Sequence, residues 1–123
     1  MNNAEIPGRF DGRTALIVGA ATGIGWASAQ RLAREGCRVL VADLHIEDAQ
    51  GAAARLPGDG HLGIGMDVLS AVSVRTAADT ISELGPLHVL VHVAGGDTDH
   101  GTFEGITDQT WHDMLELNLL GPV

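Results

Sequence analysis

Four short apolar runs alternate with segments long enough to be helices, and this alternation constrains the fold more than any other feature. The runs are Arg13–Val18, Arg38–Ala42, Leu62–Met66 and His88–Val93. Ala15–Val18 and Val89–Val91 are apolar without interruption, as expected of strands covered on both faces. Between the runs lies first an Ala-rich segment, Ile24–Glu35, stopped by Gly36. A weaker one follows from about Ile46 to Arg55, closed by Pro57-Gly58-Asp59-Gly60. A third, capped by Ser70 and ended at Gly85-Pro86, carries an apolar stripe at Val74, Ala77, Ala78 and Ile81. A last helix is predicted from about Thr107 to Leu120. Strands of about five residues alternating with helices of about ten or more imply right-handed βαβ units and a parallel sheet. The 123 residues suit one domain, with no linker or repeat. The expected fold class is therefore α/β, a doubly wound parallel sheet of Rossmann type.

The sharpest local signal is Gly19-Ala20-Ala21-Thr22-Gly23-Ile24-Gly25, directly after the first predicted strand and opening the first predicted helix. A side chain at such points blocks close approach of backbone to a phosphate, or forces an unfavourable positive φ. The helix starting near Ile24 would aim its free N–H groups and positive dipole end at a diphosphate. A tight strand-to-helix turn with no ligand is the plain alternative. The spacing is G-x-x-x-G-x-G, not G-x-G-x-x-G, and no lysine is present to complete a phosphate loop. Asp43 ends the second run, where a carboxylate can accept hydrogen bonds from an adenosine ribose and repel a 2′-phosphate. A solvated loop Asp, or a cap for the next helix, would read the same. Neither Leu44 nor His45 offers a guanidinium, which favours NAD over NADP.

Composition narrows the functions further. The chain has seven Arg, no Lys, no Tyr and a net charge of −9. The Arg residues form no patch, which argues against nucleic-acid binding. The lone Cys37 makes no internal disulfide and matches no metal spacing. No apolar stretch approaches 18 residues and no basic-then-apolar leader opens the chain. These features lead to the expectation of a soluble, cytoplasmic protein with no membrane partner and no metal.

The ordered motifs resemble the short-chain dehydrogenase/reductase family. Gly19, Gly23 and Gly25 match its cofactor turn, and Asp67-Val68 looks like its adenine-contacting Asp. Ala94-Gly95 matches the last half of its Asn-Asn-Ala-Gly motif, and Trp111 with Asn118-Leu119 matches the helix carrying an active-site Asn. The matches run from about Phe10 to Gly121. The resemblance implies an NAD-dependent oxidoreductase moving hydride between nicotinamide and an alcohol or carbonyl substrate. Its cofactor residues here would be Gly19, Thr22, Gly23, Ile24, Gly25, Asp43, Leu44, Asp67, Val68, Ala94 and Gly95, with Asn118 catalytic through a relay water. It also implies strand order 3-2-1-4, the first part of a seven-stranded sheet, and a homodimer or homotetramer built on the last helix. Asn118 has an independent reading too, since it falls on the apolar stripe of Trp111, Met114, Leu115 and Leu119. There a polar side chain costs stability unless it is bonded, so function and a satisfied core Asn stand level on spacing alone.

Two departures stand out. Val18 occupies a position usually Thr in the family, and His92-Val93 replaces the Asn-Asn pair, with His92 expected to be a structural substitute for the first Asn. The family's Ser, Tyr and Lys have no counterparts: Ser28, Ser70, Ser73 and Ser82 all precede the fourth run. Residues 1–123 thus read as an N-terminal, cofactor-binding half, catalytically incomplete alone and leaving the fourth strand as an apolar edge. The alternative is a nucleotide-binding module without catalysis, or a truncated product. In the loop from Gly96 to Gly105, Asp97, Asp99 and His100 are polar candidates for which a solvated loop is the better reading.

Overall fold

The computed structural model describes residues 4–97 and 101–123; Asp99 and His100 lie outside the described residues. Strands β1 (Thr14–Val18), β2 (Arg38–Asp43), β3 (Leu62–Gly65) and β4 (Val89–His92) form one parallel sheet in the order β3-β2-β1-β4. Leu16 lies opposite Leu40 on one side and Leu90 on the other, and Ala42 lies opposite Ile64. Helices α1 (Gly23–Arg34), α2 (Ile46–Ala54) and α3 (Ala71–Glu83) connect these strands, and α4 (Asp108–Leu115) follows β4.

Two cores, one on each sheet face, explain the unbroken apolar runs of β1 and β2, whereas β4, expected from its run to be covered on both faces, packs Val89 and Val91 on one side only and leaves Leu90 in the open. Ala15, Ile17, Val39 and Val41 pack with Ala29 and Ala33 of α1 and Ala49 and Ala52 of α2. The alternate residues Leu16, Val18, Leu40 and Ala42 pack with Ala77 and Ile81 of α3. Period-two alternation thus feeds both layers with apolar side chains. Small residues set the spacing: a Cβ on Gly63 would run into the backbone of Ala49 and Gln50, so α2 sits directly on β3.

The predicted stops and caps are where the sequence placed them. Gly36 and Gly85 end α1 and α3 at φ +93° and +111°. Ser70 Oγ accepts the Ser73 amide at 3.2 Å, and Ser73 Oγ in turn accepts the Asp67 amide at 2.9 Å. Ser70→Ala is expected to cost about 1 kcal/mol, the usual worth of an N-cap, measurable by chemical denaturation. Two histidines extend the ladder at its entry side. His61, before β3, accepts the Val39 amide on Nδ1, and His88, before β4, accepts that of Thr14, both at 3.0 Å.

A feature outside the predicted pattern closes the same side. Glu35, just past α1, is 0% exposed and accepts from Arg9 and Arg31 as well as from the Ile6 amide. The segment before β1 is thereby tied to the end of α1.

The last helix departs from the simple stripe. Its apolar stripe faces outward, as expected of the last helix in a cofactor-binding half: Trp111 is 50% and Leu119 57% exposed. After Leu115 the helix widens into a π-turn, Glu116–Leu120, closed by Gly121 N–H donating to Glu116 O at 2.7 Å. A period of 3.6 therefore does not hold across Asn118. Phe103 meets Trp111 edge-on at 6.5 Å between centroids. As expected, β4 is a sheet edge, and Leu90 on it is 64% exposed. Among the described residues no helix is long and apolar enough to cross a membrane.

Candidate functional site: a cleft at the carboxyl ends of the strands

From β1 the chain moves to β2 and β3 on one side, then crosses back so that β4 pairs on the other side of β1. Consecutive crossovers diverge at that reversal and leave a crevice above the strand ends, where open α/β sheets hold ligands. A cleft of about 410 Å³ opens there. It brings together eight of the expected residues, Gly19, Thr22, Asp43, Leu44, Asp67, Val68, Ala94 and Gly95. Met66, Leu69, Val93, Val18 and Leu117 complete the lining. Of these, Val18, Met66 and Val93 end apolar runs, a position that could have marked them. Gly23, Ile24, Gly25 and Asn118 do not line the cleft.

The turn from Gly19 to Gly25 is built by backbone proximity. Gly19 adopts φ +84°, and a Cβ there would lie 2.6 Å from Ala94 N and 2.8 Å from its Cα. A Cβ on Gly25 would strike the Gly19 carbonyl. Gly23 differs: its φ is +60°, but a Cβ would meet nothing within 4 Å. Gly19 and Gly25 are thus demanded by packing, whereas Gly23, the first residue of α1, faces open space and is favoured as glycine only by its positive φ. Thr22, the N-cap, makes no side-chain cap bond, and the first turn of α1 contains no acidic residue. The positive end of α1 is therefore not offset by side chains of its own first turn.

The two carboxylates are fixed by backbone amides. Asp43 Oδ2 accepts from Ala21 at 3.0 Å and Oδ1 from Leu44 at 2.9 Å. Asp67 Oδ1 accepts from Leu69 at 2.9 Å, making a short side-chain turn at the end of β3.

Across the cleft, Asn118 grips the loop after β4. Its Oδ1 accepts the Gly96 amide and its Nδ2 donates to the Gly96 carbonyl, both at 2.9 Å; Nδ2 also donates to Met114 O at 3.0 Å. A Cβ on Gly95 would lie 2.7 Å from Asn118 Oδ1 and push that amide away from Gly96. His92 Nε2 lies 3.0 Å from Ala94 O, a distance at which the ring donates and helps shape the same loop. Among the described residues no group of three His, Cys, Asp or Glu side chains is placed to hold a metal.

This geometry agrees with known proteins. A family model described as short chain dehydrogenase matches residues 13–123. D-threitol dehydrogenase of Mycolicibacterium smegmatis is 41% identical over 116 residues, covering 92% of this chain and 44% of that protein. Galactitol 2-dehydrogenase of Agrobacterium fabrum is 33% identical, covering 94% of this chain and 44% of its own length. The crystal structure of gox2181 superposes with a TM-score of 0.85 at 34% identity, over 92% of this chain and 45% of that one. The chain spans less than half the length of these relatives. Because the family model covers nearly the whole sequence and the strand order and glycine turn agree with it, the chain belongs to the short-chain dehydrogenase family.

Proposed function

We propose that this chain is the nucleotide-binding part of an NAD-dependent dehydrogenase that oxidises a secondary alcohol of a polyol or reduces the matching ketone. One observation carries the reading: Gly19, Thr22, Asp43, Asp67, Ala94 and Gly95, from four strand ends, line one cleft at the reversal point of the sheet. The residues fit a dinucleotide. Gly23 keeps space free before α1 for the diphosphate, and the uncompensated helix end attracts it. The Asp43 carboxylate accepts hydroxyl protons of the adenosine ribose and repels a phosphate at the same place. Asp67 and Val68 flank the adenine, while Ala94 and Gly95 bring the β4 loop against the middle of the ligand. When bound, the nicotinamide ring supplies a hydride acceptor or donor.

The polyol preference rests on the relatives, which are named for D-threitol and galactitol. Residues 1–123 contain neither Tyr nor Lys and so supply none of the Tyr and Lys that the resemblance implies for proton transfer. Asn118, whose side chain is spent on Gly96, serves by holding the loop and the π-turn in register. The exposed apolar face of α4 suits a contact with a second subunit.

Titration of the chain with NADH and with NADPH, read by quenching of Trp26 and Trp111, tests the nucleotide part. NADH is expected to saturate, with NADPH at least about tenfold weaker, the equivalent of ~1.4 kcal/mol. Equal affinity for both would overturn the NAD preference. No saturable signal in a folded sample would overturn the reading itself.

A further inference from the structure

Three successive amides of the glycine turn are held by the end of β2. Gly19 and Ala20 both donate to the Ala42 carbonyl, at 2.8 and 3.2 Å. Ala21 donates to Asp43 Oδ2 at 3.0 Å. The first acceptor is a backbone group that any residue would supply. The second is a side chain, so the anchoring of Ala21 depends on residue identity. Gly19 and Gly23, both at positive φ, bound the Ala20–Thr22 segment, and glycine resists changes of its own φ and ψ least of all residues. A tether between two such residues decides how the following peptides face the cleft. Each carboxylate oxygen can accept two hydrogen bonds. On Asp43 one position on each oxygen is already taken, by Ala21 and by Leu44. One position on each remains for a pair of neighbouring hydroxyls.

We propose that Asp43 is a positioning residue for the diphosphate cradle in addition to receiving the ribose. Its carboxylate sets the Ala21–Gly23 backbone before any ligand arrives, and its loss weakens binding of phosphates that it never touches. The inference deepens the nucleotide reading above and rests on it.

The test uses ADP and 2′,3′-dideoxy-ADP, which keeps adenine and diphosphate but lacks both ribose hydroxyls. Calorimetric titrations compare the unaltered chain with Asp43→Ala and Asp43→Asn. In parallel, exchange of the Ala21 amide is followed by NMR without ligand. If Asp43 acts only through the ribose, Asp43→Ala leaves the affinity for the dideoxy compound unchanged. If it positions the turn, Asp43→Ala weakens that compound by about tenfold, the scale of losing one hydrogen bond to a charged acceptor. The Ala21 amide then exchanges at least about tenfold faster. Asp43→Asn, with one oxygen for two amides, is expected to fall between on both readouts. Unchanged dideoxy affinity together with unchanged Ala21 exchange overturns the proposal. Should the unaltered chain bind neither nucleotide, the nucleotide reading fails, while the ligand-free exchange rates still decide whether Asp43 holds the turn.

Discussion

Gly19→Ala is expected to damage the fold itself, whereas Gly23→Ala, four residues away, leaves the fold standing and removes dinucleotide binding. At Gly19 the added methyl would lie 2.6 Å from Ala94 N and 2.8 Å from Ala94 Cα, both backbone atoms that no rotamer change can move aside. Ala94 cannot retreat cheaply, because its amide donates to Val18 O at 3.0 Å and closes the β1–β4 junction. The left-handed backbone, φ +84°, adds its own penalty. Strain of about 1–2 kcal/mol from the backbone and about 1–3 kcal/mol from overpacking consumes a large part of the ~5–15 kcal/mol that holds a typical domain together. The melting temperature should fall by on the order of 15 °C. At Gly23 no atom lies within 4 Å of the new methyl, so only the backbone strain at φ +60° applies, about 1 kcal/mol. That methyl would stand in open space, where the proposed function puts the diphosphate, and on that reading NADH affinity should drop by more than about a hundredfold, the effect of blocking close backbone approach. Thermal melts and NADH titrations of both variants check this. Equal destabilisation by the two, or normal NADH binding by Gly23→Ala, would contradict the division of labour between these glycines.

That division shows what a sequence can and cannot disclose. The turn, its three glycines and their place between a strand and a helix are visible in the spacing alone. Which glycine answers to packing and which to a ligand depends on Ala94, which lies more than 70 residues away in the chain. The two central strands were legible because burial on both faces leaves their interiors, Ala15–Val18 and Val39–Ala42, wholly apolar, and Ser70, Gly36 and Gly85 were legible because caps act locally. Asp43 was legible as the acid ending β2, but its bond to Ala21 was not, since spacing does not tell which amide a carboxylate takes. Asn118 was legible as a polar residue on an apolar stripe. Its actual direction follows from the π-turn at Glu116–Leu120 and from Gly96, a change of helical period that the pattern of residue types does not announce.

Glu35 was illegible for a related reason, and it supports the other large expected effect. An acid at a helix end reads as solvent-facing, yet this one is fully buried because its partners come from Ile6 and Arg9, far back in the chain, as well as from Arg31 one turn away. Burial on its own raises the pKa of a carboxyl group. Here the Arg31 hydrogen bond, the Ile6 amide and Arg9 outweigh it and hold Glu35 below its ordinary value. A carboxyl whose pKa is depressed by folding contributes stability above its unfolded pKa and loses it as the pH falls through the folded one. Glu35→Gln keeps the shape but leaves two guanidiniums facing a neutral amide in a buried site. At pH 7 its melting temperature should fall by on the order of 10 °C, since the charge-assisted hydrogen bonds from Arg9 and Arg31 are lost at the buried end of each pair, while both guanidiniums stay partly in water. The gap between the two proteins should then shrink as the pH drops below the ordinary carboxylate range, where the native group protonates as well. Because Glu35 also ties down Ile6 and Arg9, the variant should be cleaved faster by a protease in the segment before β1. Melts from pH 7 to about pH 3 decide the matter. A difference that stays constant across that range would mean that the charge of Glu35 contributes nothing, and that the N-terminal segment is held by shape alone.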